Sequence, residues 1–332
     1  MTQPVSQRAL IRPARSAPAL QPAATPLAEE AAELRREILR ALFATGGGHY
    51  GGSLSVIDLL LTLYRRQLRV CPEQPRHPLR DRLILSKGHA AIALYAVLRR
   101  LAYFSEPLSA YATFGSPLEG HPDMLQLPGV DFSTGSLGQG LSVGLGVALA
   151  LRTTEPTTEP ATQPTGAPAT EPTGAPAEHA EQAPRTWVVL GDGECQEGQI
   201  WEAAMLAAQQ QLGHLHAVID HNRFQEWGWS PPAGHREPRE AQAPAPPVAE
   251  LAAKWRAFGW RVLEVDGHDL DALERTFAQA ASSQPFDPPS VVIAHTVKGK
   301  GVPLVEQDPA RFHCATVTAA EHQTLLASLP CQ

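Results

Sequence analysis

Residues Thr186 to Leu190, TWVVL, form a short apolar, β-branched run that stops at Gly191-Asp192-Gly193. A run of this kind bounded by glycines predicts a buried strand. A helix is expected next, from about Gly198 to Gln211, and it returns the chain to a second apolar strand, Leu215 to Ile219, followed by Asp220-His221-Asn222. Alternating strands and helices indicate a parallel sheet covered on both faces, with right-handed connections. Asp192 and Asn222 are therefore expected at the same carboxyl edge of the sheet. Ligands of open α/β sheets bind beyond that edge, where glycines let backbone N–H groups approach phosphate oxygens closely. Gly193 is placed to supply such an N–H.

Mg²⁺ prefers near-octahedral oxygen ligation and takes one or two carboxylates, with phosphate oxygens and water filling the rest. Asp192, the amide oxygen of Asn222 and a backbone carbonyl at Phe224 suit that demand. Gly-Asp-Gly alone is an ordinary turn. The specificity lies in the joint spacing of the tripeptide, the segment QEGQIWEA and the later DHN.

That spacing resembles the thiamine diphosphate motif of transketolases, and other segments agree with it between about Glu33 and His313. Gly48 to Ser53 (GHYGGS) is similar to the family's GHPGGS turn, with Tyr50 in place of proline. Asp81 to His89 (DRLILSKGH) resembles the strand and loop that bring a histidine to the cofactor diphosphate. Gly120-His121-Pro122 resembles the loop holding a substrate-facing histidine. Ser133 to Gly140 (STGSLGQG) resembles the segment passing under the thiazolium ring, where the likeness places Gly135 and Leu137 in contact with it. Phe312-His313-Cys314 departs most: the family has glycine at the Cys314 position and a proline soon after. The tryptophans of WGW at Trp227 to Trp229 also replace small residues.

The resemblance implies an α/β fold with a parallel sheet, the diphosphate-binding half of a transketolase, and with it thiamine diphosphate and Mg²⁺ as cofactors. It assigns His49 and His121 to substrate oxygens and proton transfer. His89 and His313 fall to the diphosphate or a nearby substrate oxygen, and Glu197 to the cofactor loop and a subunit contact. The implied reaction moves a two-carbon ketol unit from a ketose or ketose phosphate to an aldehyde. No pyrimidine-binding domain with its activating glutamate is read before Gln332. The implied partner is a separately encoded C-terminal subunit, and the implied assembly a heterotetramer. The alternatives are a deoxyxylulose phosphate synthase-like component, the α chain of a 2-oxoacid dehydrogenase and a noncatalytic cofactor-binding or regulatory subunit. Intact Asp192, Asn222, His49, His89 and His121 weigh against the last of these.

Composition bounds the remainder. With 332 residues, 43% of them hydrophobic, the chain can bury a large core. A net charge of −7 and the lack of a basic stripe interleaved with aromatics disfavour nucleic acid. No apolar run reaches membrane-spanning length, and the first residues lack a secretion-signal pattern, so a cytoplasmic location is expected. Cys71, Cys195, Cys314 and Cys331 show neither disulfide nor zinc spacing. His214, His216 and His221, flanking the second strand, read as structural. Residues 1–26 read as a disordered Pro- and Ala-rich tail and 27–330 as one domain. Within it lie a Pro/Ala/Thr insertion at 153–184, which has nothing apolar enough to offset its ordering entropy, and a Pro/Ala-rich loop at 231–247.

Overall fold

The computed structural model describes residues 26–153, 183–225 and 250–329. Trp227, Trp229, Cys331 and nearly all of the tail, the 153–184 insertion and the 231–247 loop lie outside the described residues.

Five strands form one parallel sheet: β1 (Arg82–Leu85), β2 (Thr186–Gly191), β3 (Leu215–His221), β4 (Arg261–Asp266) and β5 (Ser290–His295), in the spatial order β1-β2-β3-β5-β4. The expected strand, helix, strand unit is present as β2, α5 (Gly198–Gln209) and β3, with Gly191 in register with Asp220. Helices cover both faces. Leu83, Leu85, Trp187, Val189, Val218 and Val292 pack under α1 (Leu27–Ala44), α2 (Tyr50–Thr62), α3 (Ala91–Arg100) and α7 (Leu270–Ala281). Ile84, Val188, Leu190, Ala217, Ile219 and Ile293 point the other way, under α4 (Gln139–Thr153), α5 and α6 (Leu251–Ala257). Burial on both faces explains why these strands read as continuous apolar runs rather than as alternating ones. Two helices, α8 (Pro303–Gln307) and α9 (Ala319–Ala327), complete the described chain, and α9 opens with a capping box between Thr318 and Glu321. Among the described residues no helix is long and apolar enough to cross a membrane.

One boundary differs from the sequence reading in a way that matters for the site. GHYGGS reads as a turn, yet Tyr50 already begins α2. The first turn of a helix leaves its N–H groups without partners inside the helix. Here Gly51 N–H donates to the Phe312 carbonyl at 2.9 Å, and the Gly51 carbonyl accepts from Gly299 N–H at 3.1 Å. The tyrosine is fully buried and packs edge-on against Phe312. The helix start is thus fixed by a distant segment that local sequence does not reveal.

Candidate active site

At the carboxyl edge, β2 delivers Asp192 and β3 delivers Asn222, 5% and 7% exposed. Asp192 accepts hydrogen bonds from Gly193 N–H at 2.9 Å and Arg223 N–H at 2.7 Å. Arg223 holds a left-handed backbone, φ 63°, which turns its N–H back to the carboxylate. The side-chain oxygen of Asn222 accepts from Phe224 N–H at 3.1 Å, so Asn222 and Phe224 share one tight turn, to which Asp192 is tied through Arg223 N–H. Burial, then the neighbouring Asp220 carboxylate, push the Asp192 carboxyl up to about 6, against the pull of the two backbone donors. A nearby cation would relieve that penalty. A cavity of about 550 Å³ opens beside Asn222 and Phe224, lined also by Thr296 and Lys298. Among the described residues no three His, Cys, Asp or Glu side chains group to hold a metal. A hard divalent ion placed here would have one carboxylate, an amide oxygen and a carbonyl to draw on, with positions left for ligand oxygens.

Beneath this turn lies a buried polar centre. Asp220 is fully buried and accepts from Ser55 Oγ at 2.6 Å, from the ammonium of Lys87 and from the hydroxyl of Thr296. Burial opposes its charge, but Lys87 and the hydroxyl donors hold its carboxyl below the usual carboxylate range. Lys87 also donates to the Gly52 carbonyl at 3.0 Å, and Asn222 Nδ2 donates to Asp220 at 3.3 Å. One ion pair therefore ties the end of β1, the first turn of α2 and the end of β3 to the turn at Asn222.

Three histidines converge above it. The rings of His49 and His89 lie 5.2 Å apart, His49 and His313 5.5 Å, and His89 and His313 5.7 Å. His49 precedes α2, His89 follows β1, and His313 arrives on a segment paired antiparallel to the glycine turn. Gly48 N–H donates to the Ala315 carbonyl at 3.0 Å and Ala315 N–H to the Gly48 carbonyl at 2.9 Å. Gly47 must be glycine for this pairing, since its φ is +135° and a Cβ would stand 2.3 Å from the Ala315 oxygen. Gly52 leaves the room His89 needs: a Cβ there would lie 3.2 Å from His89 Nε2.

Lys298 Nζ donates to the Gln225 carbonyl at 2.6 Å and to His313 Nδ1 at 3.0 Å, which leaves the His313 proton on Nε2. Burial and then His313 lower His49 to about 4, and burial and then Lys298 lower His313 to about 4. Burial and then Lys87 hold His89 well below the ordinary histidine range. Three neutral rings beside two ammonium groups make a pocket that favours an anion and can give up or accept protons once one is bound.

His121 is exposed and outside the ring-to-ring contacts of this trio, but its charge contributes to lowering His49. Its loop is held by its backbone: Tyr95 OH donates to the His121 carbonyl at 3.0 Å, Tyr111 OH to the Gly120 carbonyl at 3.3 Å, and Thr134 N–H to the Pro122 carbonyl at 3.2 Å. The ring rests on Gly135, whose φ is +157° and where a Cβ would meet His121 Cδ2 at 3.0 Å. Leu137, two residues on, is 38% exposed.

Glu197 is exposed, with its Cβ side against Gly138: a Cβ on that glycine would lie 2.7 Å from Glu197 Cβ. The buried carboxylate of this loop is Glu194, 2% exposed. His214 and His216 are buried and bonded to the Ala148 carbonyl at 2.8 Å and Ser290 Oγ at 2.7 Å, while His221 meets His295 at 3.2 Å. Lys87, Asp220, Lys298 and Glu194 escape the sequence reading. A charged residue within two positions of the end of an apolar run is the available signal for Lys87 and Asp220.

The family described as transketolase, thiamine diphosphate binding domain, matches residues 29–330. The chain is 38% identical over 282 residues to the 6-deoxy-6-sulfo-D-fructose transketolase subunit SqwG of Clostridium sp. (strain MSTE9), covering 84% of this chain and 88% of the relative. It is 34% identical over 290 residues to an apulose-4-phosphate transketolase subunit of Phocaeicola vulgatus, covering 87% and 88%. A transketolase of Pichia stipitis, solved in complex with xylulose 5-phosphate, superposes with a TM-score of 0.70 at 26% identity, over 90% of this chain and 40% of that one. The chain thus spans most of the two relatives named as subunits, but well under half of that transketolase.

Proposed function

Because the chain belongs to the transketolase thiamine diphosphate-binding family, we propose that it is the N-terminal subunit of a two-component transketolase that transfers a two-carbon ketol unit from a ketose or ketose phosphate to an aldehyde. The observation that carries this reading is the convergence of Asp192, Asn222, His49, His89 and His313 at one sheet edge, above a buried Lys87 and Asp220 pair.

The donor set fits the cofactors. Asp192, whose buried carboxylate gains from a cation, Asn222 and the Phe224 carbonyl would hold Mg²⁺. His89 and Lys298 would take the diphosphate oxygens, joined by Gly193 N–H on turning from its neighbour Asp192, and Gly135 and Leu137 the thiazolium side. When bound, thiamine diphosphate supplies a carbanion equivalent for breaking and making C–C bonds. The protein binds, orients and moves protons. His49 and His121 would bond substrate oxygens, and an imidazole there suits taking and returning a hydroxyl proton. His313, held by Lys298 with its proton on Nε2, would donate to a substrate oxygen. Glu197, exposed beside Gly138, would meet the partner.

The relatives named as subunits support a separate partner subunit; in this reading the partner is the separately encoded C-terminal subunit carrying the pyrimidine side, and the assembly is a cytoplasmic heterotetramer. The deciding experiment measures two-carbon transfer from a ketose phosphate, with Mg²⁺ and thiamine diphosphate, for this chain alone and mixed with a C-terminal transketolase subunit from the same source. Activity in the mixture only is expected. Activity of the chain alone overturns the two-component reading, and cofactor binding by the pair without transfer from any ketose overturns the catalytic one.

A further inference from the structure

Glu194 lies in the short 3-10 turn after β2, between Asp192 and Glu197. Its carboxylate is buried and gathers three donors from three elements. Oε1 accepts from Gly138 N–H at 2.8 Å and from Ser86 Oγ at 2.5 Å, and Oε2 accepts from Gly191 N–H at 3.1 Å. Ser86 Oγ in turn accepts from Gly140 N–H at 3.1 Å. No salt bridge reaches Glu194 among the described residues. Burying a carboxylate on neutral donors is costly unless each donor is well placed, so this arrangement fixes the three segments to one another.

The segment it fixes is the one that bears on the site. Residues 134–140 are held at one end by Thr134 Oγ1 donating to the Leu85 carbonyl at 2.7 Å. At the other end Gly138 and Gly140 are bonded through Glu194 and Ser86. The packing leaves no slack: a Cβ on Gly88 would lie 2.8 Å from Gly135 N, one on Gly140 2.3 Å from Ser86 Oγ. Gly138 holds φ +87° to aim its N–H at the carboxylate. Between the two anchors sit Gly135, on which the His121 ring rests, and Leu137.

We propose that Glu194 is a positioning residue, which sets the height of the Gly135 to Gly138 segment and so places both the cofactor-facing backbone and the His121 ring. The inference rests on the functional reading above. Glu194→Gln keeps the shape but turns an N–H₂ toward at least one of the three donors.

The test is calorimetric titration of thiamine diphosphate into the Mg²⁺-saturated pair of subunits, with kcat and donor KM alongside. Loss of one hydrogen bond to a charged group predicts a cofactor Kd raised about 10- to 100-fold in Glu194→Gln. Lower kcat at nearly unchanged donor KM is expected with it, and Ser86→Ala should shift both in the same direction by less. A Glu194→Gln pair that melts earlier but binds cofactor and turns over like the parent overturns the proposal. If Glu194→Gln does not fold, Ser86→Ala decides by the same readout, and parental cofactor affinity there overturns it. A parent pair that shows no binding at all refutes the functional reading, and this inference falls with it.

Discussion

Asp192 and Asp220 stand at strand ends and take their donors from adjacent backbone and buried side chains, whereas His49, His89 and His313 meet only because three loops from distant parts of the chain are brought together. The first group is built into the sheet, and its cost is desolvation. The second is built from tertiary contacts, and its property is proton affinity lowered by burial and by Lys87 and Lys298. The strand-end group is therefore suited to holding a ligand fixed, and the ring group to exchanging protons with it.

The largest expected effect tests whether the ring group extends to His121. His121→Ala should lower kcat by about 10²- to 10⁴-fold, the range for a positioned acid or base, while cofactor affinity measured by titration stays at the parental value. Equal losses of affinity and rate would place His121 with the holding group instead.

Next comes the buried pair. Lys87→Met leaves Asp220 charged and unpaired at a fully buried site and should cost about 3–5 kcal/mol in denaturant unfolding. Arg100→Ala breaks partly exposed pairs with Glu33 and Glu37 and should cost no more than about 1 kcal/mol. Similar costs for the two would remove the distinction between buried centre and periphery.

Acidification separates Asp192 from the rings by sign, whereas Asp220, held low, goes with the rings. His49 and His313 sit at about 4 when folded and near 6.5 when unfolded. Between these values the native chain binds fewer protons, so their contribution is complete above about 6.5 and is lost as pH falls through about 4. Asp192, raised to about 6 from 3.8, acts in the opposite direction over part of that window. With His89 lowered as well, the rings prevail, and the melting temperature should fall from pH 7 to 4. The double variant His49→Asn, His313→Asn should flatten that slope, and an unaltered slope would refute the assignment.

The smallest effect belongs to Tyr50, whose buried hydroxyl has no hydrogen-bond partner among the described residues. Tyr50→Phe removes an unsatisfied group and should leave stability unchanged or raise it by up to about 1 kcal/mol. A loss above that would mean that the hydroxyl is bonded in the working protein.

Much of this is readable in the chain itself. TWVVL, GDG and DHN fix β2, β3 and the placing of Asp192 and Asn222, because apolar runs and glycine stops are local signals. The family likeness supplies His49, His89, His121 and His313. Lys87, Asp220, Glu194 and Lys298 are not legible in the same way. Each depends on a partner far away in sequence, such as Ser55 for Asp220 or Gly138 for Glu194, and no periodicity encodes such pairings. The early start of α2 is hidden for the same reason, since Phe312 and Gly299 satisfy Gly51.

The two hydrogen bonds between Gly48 and Ala315 join the first loop of the described chain to nearly its last. Contacts of such long sequence separation are the slow ones in folding, because the intervening loop must close first. During synthesis His49 and His89 emerge well before His313, and the pocket cannot close until the ribosome has released the segment that carries it. The three-ring cluster thus assembles only after that segment has emerged, and an interrupted translation product that already has its sheet would still lack its third ring.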